Sequence, residues 1–150
     1  MRLSDPVRMS SESECRVFVF LVEDHALIRR GMALVLEQAG HAIVGEADTA
    51  EKALSHLGLA FAQVAVVDLA LGQASGLDLI PALCHLGVRV LVCSLQEDPA
   101  VVRRALAAGA AGYVTKREVA TSLITAIRTI MDGGTFISPR AATALARNVA

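Results

Sequence analysis

Apolar residues along this chain follow two alternating patterns: short unbroken runs, and longer stretches in which apolar positions return every three or four residues. Residues 64–67 (Val-Ala-Val-Val) show the first pattern, β-branched or small at every position and stopping at one carboxylate, Asp68. A strand without alternation is one covered on both faces, as in a parallel sheet flanked by helices. A charge inside such a strand is costly, so the first charge marks its end. Residues 15–22, largely apolar after Arg16, likewise run into Glu23-Asp24, and short strands are predicted at 41–47, 88–93 and 111–114.

Between these runs the period lengthens. Residues 26–39 place Ile28, Met32, Val35 and Ala39 on one helical stripe, with charges at Arg29, Arg30 and Glu37 and a stop at Gly40. Asp48 or Thr49 caps the next helix, Glu51 stands three residues after Asp48 as in a capping box, and Gly58 ends it. A third helix is predicted over 77–86, where Pro81 removes a backbone donor, so a distorted or late first turn is expected. Asp98-Pro99 supplies a cap and a proline at the first helical position, and Val101, Val102, Ala105 and Leu106 form a buried face up to Gly109. The fifth helix, 118–131, carries Val119, Leu123, Ile127 and Ile130 and stops at Gly133-Gly134. Five strand–helix alternations predict a doubly wound α/β sheet with right-handed crossovers. Residues 1–14, polar and mixed in charge, read as a disordered N-terminal extension, 15–134 as the folded domain, and 135–150 as a linker-like C-terminal helix begun by Ser138-Pro139.

Composition narrows the chemistry. With 54% hydrophobic and 3% aromatic residues, the core is built from Ala, Val, Leu and Ile, which suits close helix-on-sheet packing. A net charge of −1 provides no basic excess to track phosphates, which argues against direct nucleic-acid binding by this segment. No apolar stretch approaches the roughly 20 residues of a membrane span, and the N-terminus lacks the apolar core of a signal peptide, so a cytoplasmic protein without membrane contact is expected. Cys15, Cys84 and Cys93 include no CxxC pair and read as reduced thiols. His25, His41, His56 and His85 lack metal-ligand spacing, and His25 reads as a local hydrogen-bonding group at the first helix start.

The remaining polar residues of interest all sit just past strand ends: Glu23 and Asp24 after the first, Asp68 at the third, Ser94 after the fourth and Lys116 after the fifth. In an open parallel sheet these ends form one rim, where ligands bind. Carboxylates brought together raise one another's pKa unless a cation joins them. A hard divalent ion that keeps several waters and completes its shell with phosphate, Mg2+, fits such a set. Lys116 adds a fixed positive charge and Ser94 a neutral hydroxyl donor. An aspartate carboxylate is a nucleophile toward phosphorus, and metal plus lysine neutralise the charge of the transferring group. Asp68 is therefore expected to become an acyl phosphate.

Val-Glu-Asp-His at 22–25, Asp68 with Gly76 downstream, Leu-Val-Cys-Ser at 91–94 and Gly-Tyr-Val-Thr-Lys at 112–116 occur in this order, each at a strand end. Through these motifs residues 16–134 resemble the CheY-like receiver domain of response regulators, in the NarL/FixJ (LuxR-type) branch of two-component systems. The resemblance implies a flavodoxin-like (βα)5 sheet of order 2-1-3-4-5, its switch point flanked by the acidic pair and Asp68. It implies Asp68 as phosphoacceptor, with Mg2+ held by Asp24 and Asp68, by Glu23 directly or through water, and by the backbone carbonyl of Ala70. Ser94 and Lys116 would contact the phosphoryl group, and Ser94 with Tyr113 would form the conformational switch. The donor would be the phosphohistidine of a sensor histidine kinase, with small acyl phosphates as substitutes. Such a domain is no enzyme beyond its own phosphotransfer and dephosphorylation.

Phosphorylation would remodel the face of the fourth helix, fifth strand and fifth helix. Ile124 and Met131 form a second apolar edge on that last helix, read either as core packing or as a surface for homodimerisation. Relatives of this branch carry a LuxR-type helix-turn-helix domain after the receiver, and residues 138–150 resemble the linker to it. The chain is thus expected to be the regulatory part of a transcription regulator that reaches DNA through that domain, with a single-domain regulator as the alternative. There are departures from the family pattern. Gly72 stands where relatives often have proline, which would loosen the loop; Arg117 replaces the proline after Lys116 whose cis peptide relatives use; Ala70 and Gln96 border the attacking water and bear on the phosphoryl lifetime. Two rival readings remain: a pseudo-receiver that binds proteins without phosphorylation control, and a flavodoxin-like enzyme or nucleotide binder. The intact acidic pair, Asp68, Ser94 and Lys116 speak against the first, and the lack of a Gly-rich loop after the first strand against the second.

Overall fold

The computed structural model describes residues 16–72 and 74–147; the expected extension 1–14, Cys15 and residues 148–150 of the tail lie outside the described residues. The strands of its main sheet are β1 (Phe18–Val22), β2 (Ala42–Ala47), β3 (Val64–Val67), β4 (Arg89–Ser94), β5 (Gly112–Thr115) and β6 (Phe136–Ile137); a separate antiparallel pair joins Ala70–Leu71 to Ala74–Ser75. Those of the main sheet all pair in parallel, in the order β2-β1-β3-β4-β5-β6. The first five have the flavodoxin-like order 2-1-3-4-5 that the motifs imply. The sixth is an addition to the expected tail: Phe136 pairs with Gly112 and Ile137 with Tyr113 before the helix that starts at Pro139. Two apolar residues after a glycine pair are too short a run to register as a strand.

The helices are α1 (Ala26–Gln38), α2 (Ala50–Ser55), α3 (Leu79–His85), α4 (Pro99–Ala107), α5 (Val119–Met131) and α6 (Pro139–Arg147). The unbroken apolar character of β1 follows from its two covered faces. Val19 and Leu21 join Met32 and Leu36 of α1 and Leu123 and Ile127 of α5, while Phe20 and Val22 join Ile80 and Leu83 of α3 and Val102 and Ala105 of α4. Each such fully buried Val or Leu side chain contributes roughly 1.5–3 kcal/mol to folding. No helix among the described residues is long and apolar enough to cross a membrane.

Helix starts follow local chemistry. Asp98 Oδ1 accepts from the Ala100 amide at 2.9 Å with Pro99 as the first residue of α4. For α2 the cap is Thr49, whose Oγ1 accepts from the Lys52 amide at 3.1 Å, so no Asp48–Glu51 capping box forms and Asp48 pairs with Lys52 instead. Pro81 is the third residue of α3, preceded by a 3-10 turn over Gly76–Asp78. At that position its missing N–H would have had no intrahelical partner, which explains the late start.

Candidate functional site

Register places the functional groups on one rim. Val22 pairs with Val67, Val67 with Val92, and Cys93 with Val114. The next residues along these strands, Glu23 and Asp68, therefore emerge side by side, with Ser94 and Lys116 a step further along β4 and β5. Backbone bonds fix the row: the Glu23 amide donates to Ala47 O and the Asp68 amide to Val22 O, both at 3.0 Å. Gly76 closes the loop behind Asp68, its amide donating to Leu69 O at 2.8 Å. A Cβ at position 76 would collide with the Asp68 carbonyl oxygen, so the loop requires glycine there.

The Lys116 ammonium lies 3.0 Å from Asp68 Oδ2 and 2.7 Å from Glu23 Oε1. Both carboxylates are buried, Glu23 completely and Asp68 with 3% of its surface exposed. Burial pushes the Glu23 carboxyl above its ordinary range, outweighing the lowering by Lys116 and by the His25 amide, and the nearby Asp68 charge adds a smaller push in the same direction. Burial alone would lower Lys116, but its bonds to Glu23 and Asp68 outweigh it and hold the ammonium protonated above its usual value. Asp68 Oδ1 accepts the Ala70 amide at 3.3 Å. Ser94, buried, accepts the Gln96 amide on Oγ at 3.1 Å. Tyr113 is also fully buried, with its hydroxyl donating to Gln96 O at 2.7 Å. Burial pushes that phenol up to about 12.

Glu23, Asp24 and His25 offer ligand atoms within 4.8 Å of one another. Asp24 Oδ1 is a buried oxygen with no hydrogen-bond donor, while Glu23 Oε1 has the Lys116 ammonium 2.7 Å away as its counter-charge. A buried carboxylate oxygen left without a donor, next to a second carboxylate, fits a cation better than it fits that neighbour. His25 adds a nitrogen to this group; its Nδ1 lies 3.4 Å from Asp24 Oδ1, and its amide donates to Glu23 Oε2 at 3.1 Å. The loop after Asp68 is not loosened by Gly72: the Gly72 amide donates to Asp24 Oδ2 at 3.0 Å, with φ at +64°. Proline could provide neither that donor nor that backbone angle.

The sequence pattern of the response regulator receiver domain matches residues 19–128. The chain belongs to this family. UhpA, a transcriptional regulatory protein of Salmonella typhimurium, is 34% identical over 131 residues, covering 87% of this chain and 66% of that protein. The transcription regulator BvgA of Bordetella pertussis is 32% identical over 120 residues, covering 79% of this chain and 57% of BvgA. The receiver thus spans two thirds or less of these curated relatives. A LuxR-family two-component response regulator from Aurantimonas sp. superimposes with a TM-score of 0.80 at 30% identity, covering 88% of this chain and 96% of that one. These relatives place the receiver in the NarL/FixJ branch.

The receiver places the side chains that the sequence singled out around one rim, while Ala70 meets the site by its amide. Glu23, Asp24, Asp68, Ser94 and Lys116 share the rim, Ala70 adjoins Asp68 through its amide, and Tyr113 lies under the loop after Ser94. Arg29 was missed. Its Nη1 donates to Glu23 O and its Nε to Glu46 Oε1, at 2.6 and 2.9 Å, so it anchors the backbone that carries the acidic pair. A charge on the polar side of an amphipathic helix reads as solvated, and only its spacing six residues after Glu23 hinted otherwise.

Proposed function

We propose that this receiver is a phosphorylation-controlled switch: Asp68 accepts a phosphoryl group from the phosphohistidine of a sensor histidine kinase, and the change at Ser94 and Tyr113 is passed to an output domain that acts on DNA. The observation that supports it most is the Lys116 ammonium seated between two buried carboxylates beside an unpartnered Asp24 oxygen. Glu23, Asp24, Asp68 and the Ala70 carbonyl are the groups for Mg2+, which when bound neutralises the oxygens of the transferring phosphoryl group.

A carboxylate oxygen of Asp68 bonds to phosphorus as the phosphorus–nitrogen bond of the donor breaks; the bonding pair goes to the ring nitrogen, and the imidazole leaves after taking a proton from water. Lys116 then exchanges a carboxylate partner for a phosphoryl oxygen. The product carries about −1.5 to −2 charge with new acceptor oxygens. These draw the Ser94 hydroxyl away from the Gln96 amide, and Tyr113, released from Gln96 O, fills the vacated space. Phosphorylation thereby biases an equilibrium between two packings. The receiver turns over nothing but its own phosphoryl group, works in the cytoplasm, and pairs with a second copy when phosphorylated.

Incubation of the full chain with Mg2+ and acetyl phosphate tests the reading by intact mass. Wild type is expected to gain one phosphoryl group and Asp68→Asn none. A wild type that stays unmodified under conditions where a control receiver is labelled would leave a protein-binding module outside phosphorylation control.

A further inference from the structure

The start of α6 is tied to both loops that carry the groups of the switch. On one side, Ser138 is fully buried; its amide donates to Tyr113 O at 2.9 Å and its Oγ accepts the Thr115 amide at 3.3 Å. The buried Glu118 carboxylate accepts Thr115 Oγ1 at 2.7 Å and the Arg140 amide at 3.1 Å, placing a negative charge at the N-terminus of α6, where the helix dipole favours it. Lys116 lies between Thr115 and Glu118 in the chain. On the other side, Arg140 Nε donates to Glu97 Oε2 at 2.8 Å, with a second contact from Nη2 to Oε1 at 3.4 Å. Glu97 also lies 3.8 Å from Arg117. It follows Gln96, whose amide holds Ser94 Oγ and whose carbonyl holds the Tyr113 hydroxyl.

Little apolar surface holds the rest of this helix. Ala141 is its only buried residue, Leu145 is half-buried at the core edge, and a cleft lined by Glu97, Pro99, Arg140 and Ala144 opens between α6 and the start of α4. A helix fixed mainly by polar ties at one end can swing about the buried ties when an exposed one opens.

We infer that α6 is latched to the switch: the Arg140–Glu97 pair holds the helix against the Ser94 loop in the unphosphorylated arrangement, and phosphorylation at Asp68 opens the latch and frees α6. The inference rests on the phosphoacceptor reading of Asp68. When Ser94 turns toward the phosphoryl oxygens, Gln96 and Glu97 move with it and the Glu97 carboxylate leaves Arg140. The buried Ser138–Thr115–Glu118 ties stay on the β5 side as the pivot. Because coupling is reciprocal, whatever opens the latch also favours the phosphorylated arrangement.

The test uses the full chain with Mg2+ and fluoroberyllate, following amide hydrogen exchange in residues 139–147 and affinity by calorimetry. In wild type, fluoroberyllate is expected to speed exchange in α6 about threefold, the same factor by which an open latch tightens its binding. In Arg140→Ala exchange should already be fast without it, and fluoroberyllate should bind about threefold tighter, the size expected of an exposed ion pair. The reversed pair Glu97→Arg with Arg140→Glu should restore wild-type exchange and affinity. If wild type binds fluoroberyllate while α6 exchange stays unchanged, or if Arg140→Ala binds with wild-type affinity, the latch is overturned and the phosphoacceptor reading stands. If wild type binds no fluoroberyllate, both fall.

Discussion

Removing the Lys116 ammonium leaves the buried carboxylates of Glu23 and Asp68 without their shared counter-charge. Breaking a buried pair from one side costs about 3–5 kcal/mol. Lys116→Met is therefore expected to lower the unfolding free energy by about 3 kcal/mol at pH 8 in a urea titration, and by less at pH 5, where Glu23 can take up a proton. A loss of under about 1 kcal/mol at pH 8, the range of exposed pairs, would show that the pair is solvated. Gly72 supplies a second test at this scale. Gly72→Pro removes the donor to Asp24 Oδ2 at a φ that proline cannot adopt, and about 1.4 kcal/mol of lost positioning corresponds to a tenfold weaker Mg2+ affinity by calorimetry. Unchanged affinity would mean that Asp24 needs no help from the loop. Glu23, Asp24, Asp68 and Lys116 are legible in the sequence because each is an ionisable side chain at the end of an apolar run. Arg29 and Glu118 are not, since both sit in helical surroundings where charge is ordinary and only the tertiary fold brings them to Glu46 and to the Arg140 amide.

At the scale of elements, the approach to β2 contains a titrating group apart from the site. His41 is buried, its Nδ1 accepting the Val17 amide at 3.1 Å while Nε2 has no partner among the described residues. Burial, with the Arg128 charge adding to it, lowers its pKa below the ordinary 6.5. The folded state thus binds fewer protons at this position than the unfolded chain. Its contribution is fully present above pH 6.5 and is lost as pH falls through that value toward the lower folded pKa. The urea midpoint of wild type is expected to fall between about pH 7 and pH 5, with a flatter profile in His41→Asn, whose amide oxygen can still accept the Val17 amide. Identical slopes in the two proteins would place the titration elsewhere. Elements were legible in proportion to their length. The long stripes of α1 and α5 and the β-branched run of β3 announce themselves, and Asp98-Pro99 marks the start of α4. The two residues of β6 carry no period, and their pairing depends on the open edge that β5 presents.

For the whole molecule, one sheet edge gathers groups that lie far apart in the chain, because parallel strands in register all end on the same side. That convergence could be anticipated from the order of the motifs. The docking of the tail could not, since Arg140 meets Glu97 across 43 residues and nothing local records it. On the proposed function, this rim accepts the phosphoryl group and the Ser94 loop and terminal helix respond to it. The central claim is the chemistry of Asp68, and borohydride trapping tests it most directly. After exposure to Mg2+ and acetyl phosphate, reduction of an acyl phosphate at position 68 followed by peptide mapping should show homoserine there. An unreduced Asp68 in protein that has gained a phosphoryl group, or homoserine at another position, would contradict the account.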